Sequence, residues 1–138
     1  MSEANPSDQP RGARTPGAKR AEPNEYYFDI ASLNSIMGGP EYSTAFGGCV
    51  EGERMMVALM RMPVGTGSVP HTHPNEQWVY ILEGTMDSTV NGQRRLVPPG
   101  GVIYIPANTI HHATATAERD VVFFTVKDTS HGLHGKRL

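Results

Sequence analysis

Glycine and proline interrupt this chain at short intervals, and nothing else in the sequence limits its fold as strongly. From residue 38 onward they stand at Gly38-Gly39-Pro40, Gly47-Gly48, Gly65 and Gly67, Gly84, Gly92, Pro98-Pro99-Gly100-Gly101 and Pro106. Both residue types break regular elements, so the stretches between them suit short strands and leave little room for helix. The segments that read as strands are about 54–62, 76–82, 87–90, 94–97, 102–105, 111–116 and 121–126. Together they predict an all-β sandwich or barrel. Asn91-Gly92 lies between two of them and signals a tight hairpin, because both residues accept the positive φ of a type I′ turn. Met55 to Met60 consists largely of good helix formers, yet it is short, uncapped and bounded by glycine turns, and so reads as strand. Residues 26–30, Tyr-Tyr-Phe-Asp-Ile, form a β-prone aromatic run that predicts an arm or a first strand.

Ahead of that run, residues 1–24 are rich in Pro, Gly, Ala, Arg and Glu and hold too little apolar surface to offset the entropy of ordering. They read as a disordered tail before a single domain at 25–130, with 131–138 as a flexible C-terminal tail. Charges nearly balance, 12 Lys+Arg against 14 Asp+Glu, which leaves no electrostatic footprint for nucleic acid or an anionic membrane. The expected partner is a small molecule. The one cysteine, Cys49, excludes an internal disulfide and any Cys-rich zinc module, and reads as a small buried residue. No apolar run approaches a membrane span and no apolar block follows the first charges, so a cytoplasmic location is expected.

The most informative tripeptide is His71-Thr72-His73. Two histidines at i and i+2 on an extended chain face the same side and can aim both imidazoles at one point. Gln77 follows four residues later and opens a strand that Gly84 closes. A second histidine-bearing segment, Gly100 to His112, comes after the hairpin.

In these residues the chain resembles the cupins. Their first motif, G-x5-H-x-H-x3,4-E-x6-G, is met by Gly65, His71, His73, Gln77 and Gly84, with glutamine in the glutamate's place. Their second, G-x5-P-x-G-x2-H-x3-N, is met by Gly100, Pro106 and His111; Asn108 replaces a turn glycine and Ala115 the last asparagine. The resemblance covers about residues 54–126. It implies a single cupin β-barrel, a jelly-roll double-stranded β-helix, with one divalent metal ion (Fe, Ni, Zn or Mn) held by His71, His73, Gln77 and His111. An amide offers only a neutral carbonyl oxygen, so this donor set leaves the ion's charge uncancelled and favours an anionic, chelating substrate. Glu76 is the rival fourth ligand if a bulge turns it inward. Gln77 keeps both family spacings, and alternation then turns Val79 and Ile81 inward and Trp78, Tyr80 and Leu82 outward.

Catalytic candidates are Arg61, as a holder of a substrate carboxylate, Tyr104, whose strand parity is open, and His112; the plainer readings are an edge arginine for the first and an outward polar histidine for the last. Met56, Met60, Met62 and Phe124 are further candidates to line the pocket, and His131 and His134 read as solvated tail. Three functions follow from the resemblance. The first is an enzyme using a Lewis-acid metal for isomerase or lyase chemistry on a keto acid, uronate or similar molecule. The second is a mononuclear non-haem iron dioxygenase. The third is a non-enzymatic sugar-binding protein. Resemblance also suggests a homodimer in which residues 26–30 add to a neighbour's sheet.

Overall fold

The computed structural model describes residues 14–138. Twelve strands make it up: β1 (Lys19–Arg20), β2 (Ile36–Met37), β3 (Phe46–Glu51), β4 (Met55–Met62), β5 (His71–Thr72), β6 (Gln77–Glu83), β7 (Met86–Val90), β8 (Gln93–Val97), β9 (Val102–Ile105), β10 (His111–Ala115), β11 (Val121–Asp128) and β12 (Lys136–Arg137). One 3-10 turn spans Ile30–Ser32. All seven strands expected from the sequence are present, with ends within two residues of those expected. They form two sheets of a jelly-roll barrel, one ordered β1-β3-β4-β11-β6-β9 with β2 on β3, the other β12-β5-β10-β7-β8.

The alternation of side chains decides what the sheets enclose. Along β4, Met56, Ala58, Met60 and Met62 turn inward; along β6, Val79 and Ile81; along β9, Ile103 and Ile105; along β11, Val121 and Phe123. These form one apolar core between the sheets. The opposite face of β6 and β9 shows Trp78, Tyr80, Leu82, Val102 and Tyr104 to solvent, and the Trp78 and Tyr104 rings meet at 4.6 Å, tilted by 36°. Trp78 is the chain's one tryptophan. Met55 to Met62 is strand because every second residue has a core to enter, which outweighs the local helix preference.

Turns follow the expected chemistry. Asn91 and Gly92 both take positive φ between β7 and β8, and Asn108 does so at +60°, filling the left-handed position usually given to glycine. Gly84 has φ +75°, and a Cβ there would lie 2.3 Å from the carbonyl oxygen of Asp120. Gly92 has φ +79° with open space around it. Gly92→Ala should therefore lose only the conformational term of about 1–2 kcal/mol, whereas Gly84→Ala must also move main chain and should lower the melting temperature clearly more. Equal melting temperatures for the two variants would remove the steric argument.

Three expectations need correction. Gly47-Gly48 is not a turn but lies inside β3, where a Cβ on Gly47 would meet the Leu59 carbonyl oxygen at 1.8 Å; glycine is needed for the close approach of two backbones. Of the two readings of residues 26–30, the strand is not formed: Tyr26 and Tyr27 are exposed, and pairing falls instead to β1, which runs parallel to β3. Finally, the tails fail as tails wherever they are described. The main-chain N–H groups of Arg14 and Thr15 donate to the buried Glu51 carboxylate at 2.7 and 3.0 Å, and Thr15 Oγ1 accepts from Leu133 N at 2.6 Å. β12 pairs with β5, and Leu133 is buried. Composition missed this because a few hydrogen bonds to distant partners fix these segments rather than apolar area. Residues 1–13 of the expected tail lie outside the described residues. Among the described residues no helix is long and apolar enough to cross a membrane.

Candidate metal centre

The histidines meet because of strand register. β5 and β10 run antiparallel with His71 opposite His111, and opposed residues share a face. His73 lies two residues past His71 and keeps that face. Gln77 enters from the facing sheet as the first residue of β6. All four side chains are buried. The ring centroids of His71 and His111 are 4.1 Å apart, those of His73 and His111 4.7 Å, and those of His71 and His73 6.3 Å. Tyr42 stacks on His71 at 4.1 Å. Among the described residues no three His, Cys, Asp or Glu side chains stand as a ready-made cage for an ion; the imidazoles pack on one another, and the fourth donor is an amide.

Proton counting sorts the cluster's donors from its acceptors. His71 Nδ1 lies 2.7 Å from the Val69 carbonyl oxygen, His73 Nδ1 2.8 Å from that of Asn75, and His111 Nδ1 2.8 Å from that of Thr109. A carbonyl only accepts, so each Nδ1 carries the proton and each Nε2 carries a lone pair. Gln77 is oriented as well: its Nε2 donates to Thr125 Oγ1 at 2.7 Å, and that hydroxyl gives its one proton to the Trp78 carbonyl at 2.8 Å. Gln77 Oε1 is thereby turned to His73 Nε2, 2.9 Å away. With the amide oriented so, no proton lies between the two atoms; turned end for end, the amide N–H donates to the ring nitrogen and the Thr125 hydroxyl to the amide oxygen. In the first orientation an imidazolium at His73 would supply one, but burial, then Lys127 and His111, pushes its pKa down to about 3. Burial, helped by the neighbouring histidine, holds His71 at about 4, and burial holds His111 at about 4. In metal-binding proteins a main-chain carbonyl on the far nitrogen is how imidazoles are usually fixed.

The cluster opens into a cavity of about 90 Å³ between the sheets. Its polar wall includes Tyr42, Ser68, His71, Gln77, Ser88, His111, Thr125 and Lys127, its apolar wall Met60, Met62, Val79, Met86, Ile103, Ile105 and Phe123. No Asp or Glu among the described residues lines it. Lys127 is only 4% exposed. Its Nζ donates to the Leu133 carbonyl at 2.6 Å, and burial drops its pKa to about 7.

The other sequence candidates divide. Glu76 is exposed and accepts from Tyr104 Oη at 2.8 Å, while Gln77 faces the cavity, so no bulge turns the carboxylate inward. Arg61 is corrected: it points outward from β4 and pairs with Asp120 at 3.0 Å. Tyr104 is corrected likewise, lying on the outer face of β9. Both sit at the wrong parity of their strands. His112 is half-buried and borders the cavity beside His111. Met60 and Met62 line the cavity; Met56 is buried without bordering it, and Phe124 gives way to its neighbour Phe123. His131 is exposed as expected, whereas His134 Nε2 lies 3.0 Å from the Met37 carbonyl. Burial pushes the Cys49 thiol up to about 12, in keeping with its reading as a buried small residue. Sequence reasoning missed Tyr42, Thr125 and Lys127. A signal for the last two existed: counting by twos from Val121 turns Phe123, Thr125 and Lys127 to the same side.

A family model described as the cupin domain matches residues 58–127. No curated protein matches the chain. Among solved structures it is similar to KdgF from a Halomonas species, at 25% identity and TM-score 0.52, covering 54% of this chain and 69% of that one. It is similar to the polyketide cyclase RemF from Streptomyces resistomycificus, at 26% identity and TM-score 0.50, covering 54% of each chain. It is also similar to a predicted oxalate decarboxylase from Thermotoga maritima, at 26% identity and TM-score 0.50, covering 53% of this chain and 64% of that one. The last two are spanned over less than two thirds of their length.

Proposed function

The chain belongs to the cupin family, and on that premise we propose that it is a metal-dependent enzyme for isomerase- or lyase-type steps on a small anionic or enolisable molecule. The reading is supported by one observation: the rings of His71, His73 and His111 pack together with the Gln77 amide against His73, beside a cavity that His71, Gln77 and His111 line and no Asp or Glu among the described residues does. His71, His73, Gln77 and His111 would hold one divalent ion. Bound there, it would supply Lewis acidity that acidifies a bound hydroxyl or carbonyl neighbour. The chain's own residues do the rest. Four neutral donors leave the site positive and so favour an anion. Thr125 fixes the Gln77 amide, and the three carbonyls fix the rings. The apolar wall of Met60, Met62, Ile103 and Phe123 limits water. Two of the chain's structural neighbours are named as a cyclase and a predicted decarboxylase, which agrees with non-redox chemistry.

The deciding experiment measures metal content in protein purified without added metal, then follows turnover of enolisable oxo acids under argon and under air. Metal-dependent turnover under argon supports the proposal. Iron with substrate-dependent oxygen uptake would replace it by the dioxygenase reading, and full activity without metal would end both. Thr125→Val should weaken Zn²⁺ binding roughly 10- to 100-fold, the usual effect of removing a group that orients a ligand. Competition with a chromophoric chelator reads this, and unchanged affinity would show that Gln77 is not a ligand.

A further inference from the structure

We propose that Lys127 is the anion-selecting residue of this cavity, its ammonium receiving the carboxylate of a short 2-oxo or 2-hydroxy acid. Lys127 reaches the cavity by register: it closes the inward row of β11 and stands opposite Gln77 on β6. An ammonium has three donors, and one is used, by the Leu133 carbonyl. No ion pair to Lys127 is present among the described residues. The nearby acids are committed elsewhere: Glu51 holds the N–H groups of Arg14 and Thr15, and Asp128 faces the opposite side of the strand, on Glu76 N and Ser130. A buried cation with no counter-charge in the chain is costly unless something supplies one. The cavity it lines gives an anion a route to it, and no carboxylate among the described residues competes in the wall.

This inference rests on the reading of the cavity as the ligand site, but its test separates the two. Pyruvate and its neutral amide, pyruvamide, are titrated into metal-free and Zn²⁺-loaded protein, both wild type and Lys127→Met. Wild-type protein should prefer pyruvate by about tenfold or more even without metal, as a charge-assisted hydrogen bond predicts. The variant should still load Zn²⁺ and bind the two compounds nearly equally when metal-free. A wild type that loads no Zn²⁺ but keeps the preference would end the metal reading alone. A wild type without the preference, or a variant that retains it, would overturn the role of Lys127. Should Lys127→Met and the gentler Lys127→Gln both fail to fold, the wild type still decides. The side-chain ¹³Cε resonance of Lys127 should move on adding pyruvate and not pyruvamide, and an unmoved resonance overturns the proposal.

Discussion

Replacing Lys127 with methionine should make the metal-free protein more stable at pH 6, by roughly 5–10 °C in melting temperature. The folded chain holds this ammonium in the core with one carbonyl partner, and burial depresses its pKa from 10.5 to about 7. The sign follows from proton linkage. Below pH 7 the lysine is charged in both states and the folded state bears the whole penalty, on the order of 5 kcal/mol. Between pH 7 and 10.5 the unfolded chain binds the extra proton, so stability climbs with pH, and above 10.5 the penalty is gone. Methionine keeps the stem's bulk and removes the charge, while the Leu133 carbonyl loses its donor and returns about 1–2 kcal/mol of the gain. The advantage should therefore shrink between pH 6 and pH 10. A variant that melts below the wild type at pH 6 would contradict the argument. The same substitution is expected to remove anion preference, so stability and selectivity would be opposed at one residue.

Metal-free protein should also lose most of its stability between pH 6.5 and pH 4. His71, His73 and His111 are held near 4, 3 and 4 in the folded chain by burial, against an ordinary 6.5. Above pH 6.5 all are neutral in both states and contribute nothing. As pH falls through 6.5 toward 4 the unfolded chain takes up protons that the folded chain refuses, and stability is lost. By pH 4 one such histidine accounts for about 3 kcal/mol. The three rings pack on one another and titrate together, so their effects do not simply add, but one alone is a large part of a domain's 5–15 kcal/mol or so. Circular dichroism against pH checks this, and a native signal persisting below pH 3 would refute it. Zn²⁺ should move the midpoint to lower pH by mass action on the folded state. Lys127 helps depress all three histidines, so Lys127→Met should move it the same way.

What the sequence revealed was whatever depends on near neighbours. Glycine and asparagine turns marked seven strands, the Asn91-Gly92 turn set a hairpin, and alternation along β6 placed Gln77, Val79 and Ile81 inside and Trp78, Tyr80 and Leu82 outside. The positions of His71, His73 and His111 followed from motif spacing, and the structure packs the three rings together, with His71 and His111 in the cavity wall. What stayed hidden depends on a single distant partner. Nothing near Arg14 or Thr15 announces that Glu51 will hold them, and nothing near Leu133 announces Thr15. Gly47-Gly48 signals a break as readily as a close approach, and only the neighbouring β4 decides. Arg61 and Tyr104 were judged by chemical type where strand parity mattered more. Ending β11 at residue 126 stopped one position short of Lys127.

The placement of Trp78 gives this protein a built-in optical gauge. Its carbonyl holds the hydroxyl that steers Gln77, its backbone is the next peptide along, and its indole leans on Tyr104 at the surface. With no other indole in the chain to blur the signal, emission colour and intensity should report on β6 alone, and adding Zn²⁺ tests without a label whether filling the proposed site reaches that strand.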